Sequence, residues 1–238
     1  MAKIFSIKKE FEFVVIISGI SLFIAFLLYV VYPPLRTVTT IYGGIALISL
    51  FFYTNKVFQP YPVGIPKKRI SLNILFGVLA GLGFILLPKI IPGMSMGVPL
   101  VPASIESNLQ WLVIVFFAPF MEEILTRGVL LGFVKYLRRK RGISNAELWL
   151  AIIVQAVFFM SLHALAYAYG WYTAPEWLGA FKILSSVSAS LISAGLFGLI
   201  MGYLVTRKGV NSLILPIVAH MTINQILFVQ SVILVIFS

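Results

Sequence analysis

Two residue types are missing from this chain of 238 residues: cysteine and aspartate. Without cysteine there are no disulfides, no thiol nucleophile and no thiolate ligands for zinc. Without aspartate the chain can form neither a paired-aspartate intramembrane protease site nor a Ser-His-Asp triad. All seven acidic residues are glutamates, and only two histidines are present. Few groups are therefore available for acid–base chemistry.

Charged residues are scarce as well, at 11% of the chain against 61% hydrophobic residues. This balance is typical of a protein embedded in a membrane and excludes an ordinary soluble domain. Seven charge-poor stretches can each cross about 30 Å of hydrocarbon as a helix. They are Phe13 to Tyr32, Thr37 to Asn55, Ile70 to Leu87, Leu109 to Val134, Leu148 to Ala166, Ile183 to Val205 and Ser212 to Phe237. The sequence predicts an all-α polytopic membrane helix bundle of seven or eight transmembrane helices, forming one membrane domain over residues 1–238.

The net charge of +11 comes from Lys and Arg residues in short blocks between the apolar stretches. Fourteen of the 18 fall on one side of the predicted bundle, whereas Arg36, Lys89 and Lys182 fall on the other. By the positive-inside rule, we expect a multi-pass protein of the cell membrane with a cytoplasmic N-terminus and an external C-terminus. Because topology explains this charge, we expect membrane lipids around the chain and no nucleic-acid partner.

Several ionisable residues lie at membrane depth. Glu122 and Glu123 are near the middle of the fourth predicted span, and His163 and His220 lie inside the fifth and seventh. An ionisable side chain at that depth costs on the order of 3 kcal/mol or more, so we expect a polar cavity in the bundle interior with a functional role. Glu122 and His163 are each about 22 Å along their helices from the cytoplasmic boundary, so they can face each other.

Helical spacing assigns partners to these residues. Glu123 and Arg127 are separated by four positions, which favours an ion pair on one helix face. Glu122 is turned away from that face by about 100° and has no such cation. The ion pair either only orients the helix or takes part in the chemistry directly.

Three motifs occur in order on three predicted spans: Glu122-Glu123-x-x-x-Arg127, Phe159-x-x-x-His163 and His220-x-x-x-Asn224. Together they resemble the signature of the CAAX-protease and bacteriocin-processing family, in particular its type II CAAX prenyl endopeptidase branch. The resemblance covers residues 109–237, the expected catalytic core. It implies that Glu122 activates a water with His163, while His220 and Asn224 form an oxyanion hole. It also implies a prenylated C-terminal CAAX peptide as substrate.

Physical chemistry supports these roles independently of the resemblance. A carboxylate that is partly desolvated in a membrane cavity becomes a better general base. His163 can share the proton and pass it to the leaving amine. We interpret Phe159 as a packing residue that also forms the wall beside His163, where substrate binds.

Two other function classes stay open. Glu122, His163 and His220 can in principle bind zinc with a water as the fourth ligand. No HExxH motif is present, so we expect no metal cofactor. The same residues can alternatively form a proton or ion pathway in a non-enzymatic transporter. Asn224 favours the enzyme, because an amide one turn after a histidine suits an oxyanion donor and has no obvious place in a proton relay.

Overall fold

The computed structural model describes residues 43–44, 69–92, 94, 113–132, 142, 144–173, 180–207 and 212–237. Every element in this part of the chain is a helix, in agreement with the predicted all-α class. The helices are α1 (Ile70–Ile90), α2 (a π-helix Val113–Phe117, an α-helix Ala118–Glu123 and a π-helix Ile124–Leu131 in succession), α3 (Asn145–Thr173), α4 (Ala180–Thr206) and α5 (Ile214–Phe237). Apart from Gly43 and Gly44, the first two predicted spans lie outside the described residues.

Three described helical segments are long and apolar enough to cross a membrane: Ile70–Ile90, Asn145–His163 and Ser188–Thr206. Ile214–Gln230 is a shorter apolar helix. Large apolar side chains such as Leu79 of α1 are about half exposed, which suits contact with lipid tails. The described helices therefore fit a membrane protein, and the total of seven or eight spans stays a prediction.

Helices α1 and α5 run parallel and pack through glycines. A Cβ atom at Gly77 would lie 2.7 Å from Cβ of Val218, and one at Gly81 would lie 2.7 Å from the carbonyl oxygen of Ala219. Only glycine permits this approach of the two backbones. The contact places α5, with His220, against a continuous apolar wall.

Helices α3 and α4 run antiparallel, and they too pack closely through glycines. Gly198 faces Ala156, and a Cβ atom at Gly198 would lie 2.9 Å from the Cα atom of Ala156. One turn further along α4, Gly202 faces Gln155 and Ile152. Small residues on α4 thus hold α3, and with it His163, close to the centre of the bundle.

Helix α2 contacts α3, α4 and α5 and is the central element of the described bundle. Pro119 lies at the start of its short α-helical part. Because proline has no N–H, the regular hydrogen bond one turn back cannot form, and the preceding segment Val113–Phe117 is π-helical. The segment Ile124–Leu131 is π-helical too, and such widened turns often accompany functional sites. Glu122 and Glu123 lie between the two π-helical segments.

Candidate active site

Glu122 of α2 lies between two histidines contributed by other helices. Its Oε2 atom is 4.0 Å from Nε2 of His163 on α3 and 4.0 Å from Nε2 of His220 on α5. The side chains of Glu122 and His163 are 29% and 28% exposed, against 7% for His220. The cluster therefore opens on the side of Glu122 and His163 and is closed behind His220.

The His163 ring is oriented by its own helix. Its Nδ1 atom lies 3.0 Å from the carbonyl oxygen of Phe159, one turn earlier on α3. A carbonyl oxygen can only accept a hydrogen bond, so Nδ1 carries the proton and donates it. This bond leaves Nε2 as the atom that faces Glu122.

Glu123 occupies a closed region directly behind the histidines. Nη1 of Arg127 donates a hydrogen bond to Oε1 of Glu123, which is the ion pair that their spacing predicts. The same Oε1 atom lies 3.1 Å from Nδ1 of His220. Neither Glu123 nor Arg127 has any exposed surface. The pair therefore fixes the His220 ring from the rear and leaves its Nε2 atom directed at Glu122.

Aromatic rings close this region on its other side. The guanidinium carbon of Arg127 lies 4.3 Å from the ring centroid of Phe159 and 5.4 Å from that of Phe197 on α4. Both distances are in the range of a cation–π contact. The ring of Phe159 is also 5.6 Å from that of His220, and only 1% of Phe159 is exposed. Phe159 is thus a packing residue of the site in this structure, and its contact with substrate stays a prediction.

Two residues of the site were not anticipated from the sequence: Phe197 and Thr126. Phe197 packs against the His220 ring at 5.4 Å between centroids. Thr126 is fully buried, donates a hydrogen bond to the backbone oxygen of Glu122 and accepts one from Nη1 of Arg127. No motif marks either position, because phenylalanine and threonine are common inside membrane helices for packing alone.

Asn224 follows His220 by one turn on α5 and is partly buried. Residues four apart lie on the same face of a helix, so Asn224 and His220 share the face that meets α2. All seven residues singled out from the sequence thus lie on α2, α3 and α5, and both α3 and α5 pack against α2.

This arrangement defines a class: a membrane-embedded site with a partly exposed carboxylate, two oriented imidazoles and a sealed ion pair behind them. Residues 104–226, just over half of the chain, match the family model of the type II CAAX prenyl endopeptidases, described as Rce1-like. The chain therefore belongs to this family of CAAX protease-type membrane hydrolases, as its motifs predict. No curated protein and no solved structure gives a significant match.

Proposed function

We propose that the protein is an intramembrane glutamate endopeptidase in which Glu122 and His163 activate the attacking water. The observation that carries the proposal is the Glu122 carboxylate at 4.0 Å from Nε2 of both histidines. This separation is too long for a direct hydrogen bond. It lets one water molecule, about 2.8 Å from each group, bridge the carboxylate and an imidazole.

In the proposed reaction, Glu122 takes a proton from this water while the water oxygen attacks the carbonyl carbon of the scissile peptide bond. The tetrahedral intermediate then collapses, and the bond between carbon and nitrogen breaks. The leaving amine receives its proton from Nε2 of His163, which exchanges protons with Glu122. The bond from Nδ1 to the backbone of Phe159 supports this role, because it keeps Nε2 directed at Glu122 throughout the cycle.

His220 and Asn224 are proposed to stabilise the oxyanion of the intermediate. Nδ1–H of His220 can donate to the Glu123 carboxylate at 3.1 Å, and in a ring that is protonated on both nitrogens Nε2–H is a second donor. That second N–H points towards the cavity, where negative charge develops on the carbonyl oxygen. Donors held in place in a low-dielectric site stabilise such charge strongly.

A zinc-dependent hydrolase is the second candidate, because the donor atoms of Glu122, His163 and His220 lie within 4.8 Å of one another. We propose that the site works without a metal, since the chain has no HExxH motif and His220 with Asn224 can supply the oxyanion stabilisation. Purified protein should keep most of its activity with 1,10-phenanthroline. Stoichiometric zinc in metal analysis, with chelator inactivation that added zinc reverses, would favour the zinc enzyme instead.

For the substrate we propose a prenylated C-terminal CAAX peptide, in line with the family to which the chain belongs. A lipid-modified peptide suits a site inside a bundle whose outer helices are apolar, because the prenyl group partitions into the surrounding bilayer.

We also propose the orientation that the basic loops indicate, with the N-terminus in the cytoplasm. Since the chain lacks cysteine, a single cysteine at position 139 is a clean reporter, and its labelling from outside intact cells would overturn this orientation.

The experiment that tests the proposed function compares two fluorescent peptides that differ only in the prenyl group. Detergent-purified protein should cleave the prenylated CAAX peptide, and Glu122→Gln should not. Turnover by Glu122→Gln would show that the glutamate mechanism is wrong. Equal cleavage of both peptides would support the endopeptidase activity but would show that the prenyl group is not required in the substrate.

A further inference from the structure

The hydroxyl of Thr126 links the backbone of Glu122 to the guanidinium of the buried ion pair. This hydroxyl donates to the backbone oxygen of Glu122 at 2.6 Å, and it accepts the Nη1–H of Arg127 at 3.0 Å. Among the described residues, no other side-chain hydrogen bond joins Glu122 to the Glu123–Arg127 pair.

Bonding of a threonine to the backbone one turn back is common in membrane helices and by itself indicates nothing. Thr222 of α5 makes the same kind of bond, to the carbonyl oxygen of Val218 at 2.8 Å. It lies against Gly81 of α1, and no hydrogen bond joins it to a charged group among the described residues. What distinguishes Thr126 is the second bond, to a guanidinium that is itself fully buried.

The second hydrogen bond of Thr126 connects the position of Arg127 to the backbone of Glu122. Arg127 is held by the carboxylate of Glu123 and by the ring of Phe159, and these contacts fix its Nη1 atom. Through Thr126, that fixed atom is tied to the backbone of Glu122, in the turn where the α-helical part of α2 gives way to the π-helix Ile124–Leu131. The direction in which the Glu122 side chain leaves the helix depends on this turn.

We propose that Thr126 is a positioning residue that holds the Glu122 carboxylate at its working distance from His163 and His220. This inference rests on the proposed function, because it assumes that Glu122 is the general base. Thr126 has no exposed surface, and its hydroxyl bonds to the backbone oxygen of Glu122 and to the Arg127 guanidinium rather than to the Glu122 carboxylate. It acts through the backbone of Glu122 and through Arg127.

Two matched pairs of variants test the role. Thr126→Val replaces the hydroxyl by a methyl group of similar size, and Thr222→Val makes the same change where no guanidinium is involved. Thr126→Ser and Thr126→Ala both lack the methyl group and differ from each other only in the hydroxyl. A displacement of about 1 Å at a reacting group can cost about 100-fold, so we expect Thr126→Val and Thr126→Ala to lower kcat by about 10-fold to 100-fold with KM nearly constant.

Thr126→Ser should keep most of the wild-type kcat, and Thr222→Val should keep kcat and KM near wild type. Thermal unfolding is measured alongside, so that the serine and alanine variants remain comparable if Thr126→Val does not fold. Equal kcat values for the serine and alanine variants would overturn the positioning role. So would a kcat loss in Thr222→Val as large as in Thr126→Val. If Glu122→Gln is inactive in the same assay while all Thr126 variants keep the wild-type kcat, this inference fails and the proposed function stands.

Discussion

Glu122 and Glu123 are neighbours in the sequence but lie in two different regions of the site. Glu122 lies with His163 in a partly exposed part, the open region, and Glu123 lies with Arg127 in a fully buried part, the closed region. Glu122 is 29% exposed and faces two imidazole nitrogens at 4.0 Å. Glu123 has no exposed surface and is held by Arg127 and His220. The difference shows how one step along a helix, a rotation of about 100°, separates a partly exposed carboxylate from one that is fully buried in an ion pair.

The two regions depend on each other. In the closed region the negative charge of Glu123 is balanced by Arg127, and a buried charge is tolerated only with such a partner. In the open region, the only ionisable nitrogens within ion-pair distance of Glu122 among the described residues are those of the two histidines. The same substitution, glutamate to glutamine, should therefore have different consequences at positions 122 and 123.

The largest expected effect on turnover is that of Glu122→Gln. An amide cannot accept the proton of the attacking water, and loss of a general base typically costs about 100-fold to 10,000-fold in rate. The thermal unfolding temperature should stay near wild type, because Glu122 forms no ion pair with an Arg or Lys of the part of the chain that the structure describes. Near-normal kcat of a folded Glu122→Gln protein would contradict the assignment of the open region as the reacting one.

The next effect is expected at His220, which contacts both glutamates, and at Asn224, one turn further along α5. Asn224→Ala should lower kcat by about 100-fold to 1000-fold with KM nearly unchanged, since an oxyanion donor acts only in the transition state. His220→Ala should lower kcat at least as much, because its ring also contacts Glu123. If Asn224→Ala mainly raised KM, the residue would position the substrate. If it changed neither constant, His220 would have to be reconsidered as a metal ligand.

Glu123→Gln should instead lower stability as well as activity. Arg127 would become an unpaired buried charge, which costs about 3 to 5 kcal/mol in the free energy of unfolding. A second variant, Glu123→Gln with Arg127→Met, removes both charges and should unfold at a higher temperature than Glu123→Gln alone. An intact unfolding temperature for the single variant would show that the ion pair does not stabilise the closed region.

Local spacing explains why part of this site could be predicted from the sequence. The Glu123–Arg127 pair follows from a separation of four residues, and the shared depth of Glu122 and His163 follows from counting along predicted helices. Likewise, the all-α class follows from apolar stretches that must satisfy their backbone internally. The contacts of Phe197 could not be predicted, because they depend on which helices become neighbours, and spacing within one helix carries no such information.

The π-helical segments of α2 are a similar case. Pro119 indicates a disturbed turn, but the sequence does not reveal that the helix widens on both sides of the two glutamates. The role that we propose for Thr126 likewise depends on contacts that only the structure reveals. A threonine four residues after Glu122 predicts a local bond to the backbone, whereas its contact with Arg127 depends on how the guanidinium is held by residues from other helices.

The smallest expected effect concerns Phe197, whose ring touches the closed region without carrying charge. It lies 5.4 Å from the His220 centroid and 5.4 Å from the Arg127 guanidinium carbon. Phe84 of α1 is a matched control, because it is equally buried, at 4% exposure, and packs edge-on against Phe197 at 5.2 Å. Among the described residues, no ring or cation contact joins Phe84 to His163, His220 or Arg127.

Changing each phenylalanine to leucine should lower the free energy of unfolding by a similar amount, about 1 kcal/mol, because both lose apolar contacts in one core. Only Phe197→Leu should also lower kcat. A cation–π contact contributes about 0.5 kcal/mol at exposed sites to about 2 kcal/mol at desolvated ones, and about 1.4 kcal/mol corresponds to tenfold in rate, so the expected loss is about 30-fold or less. Equal kcat values for the two leucine variants at equal loss of stability would show that Phe197 only packs and is not needed to hold the His220 ring in place.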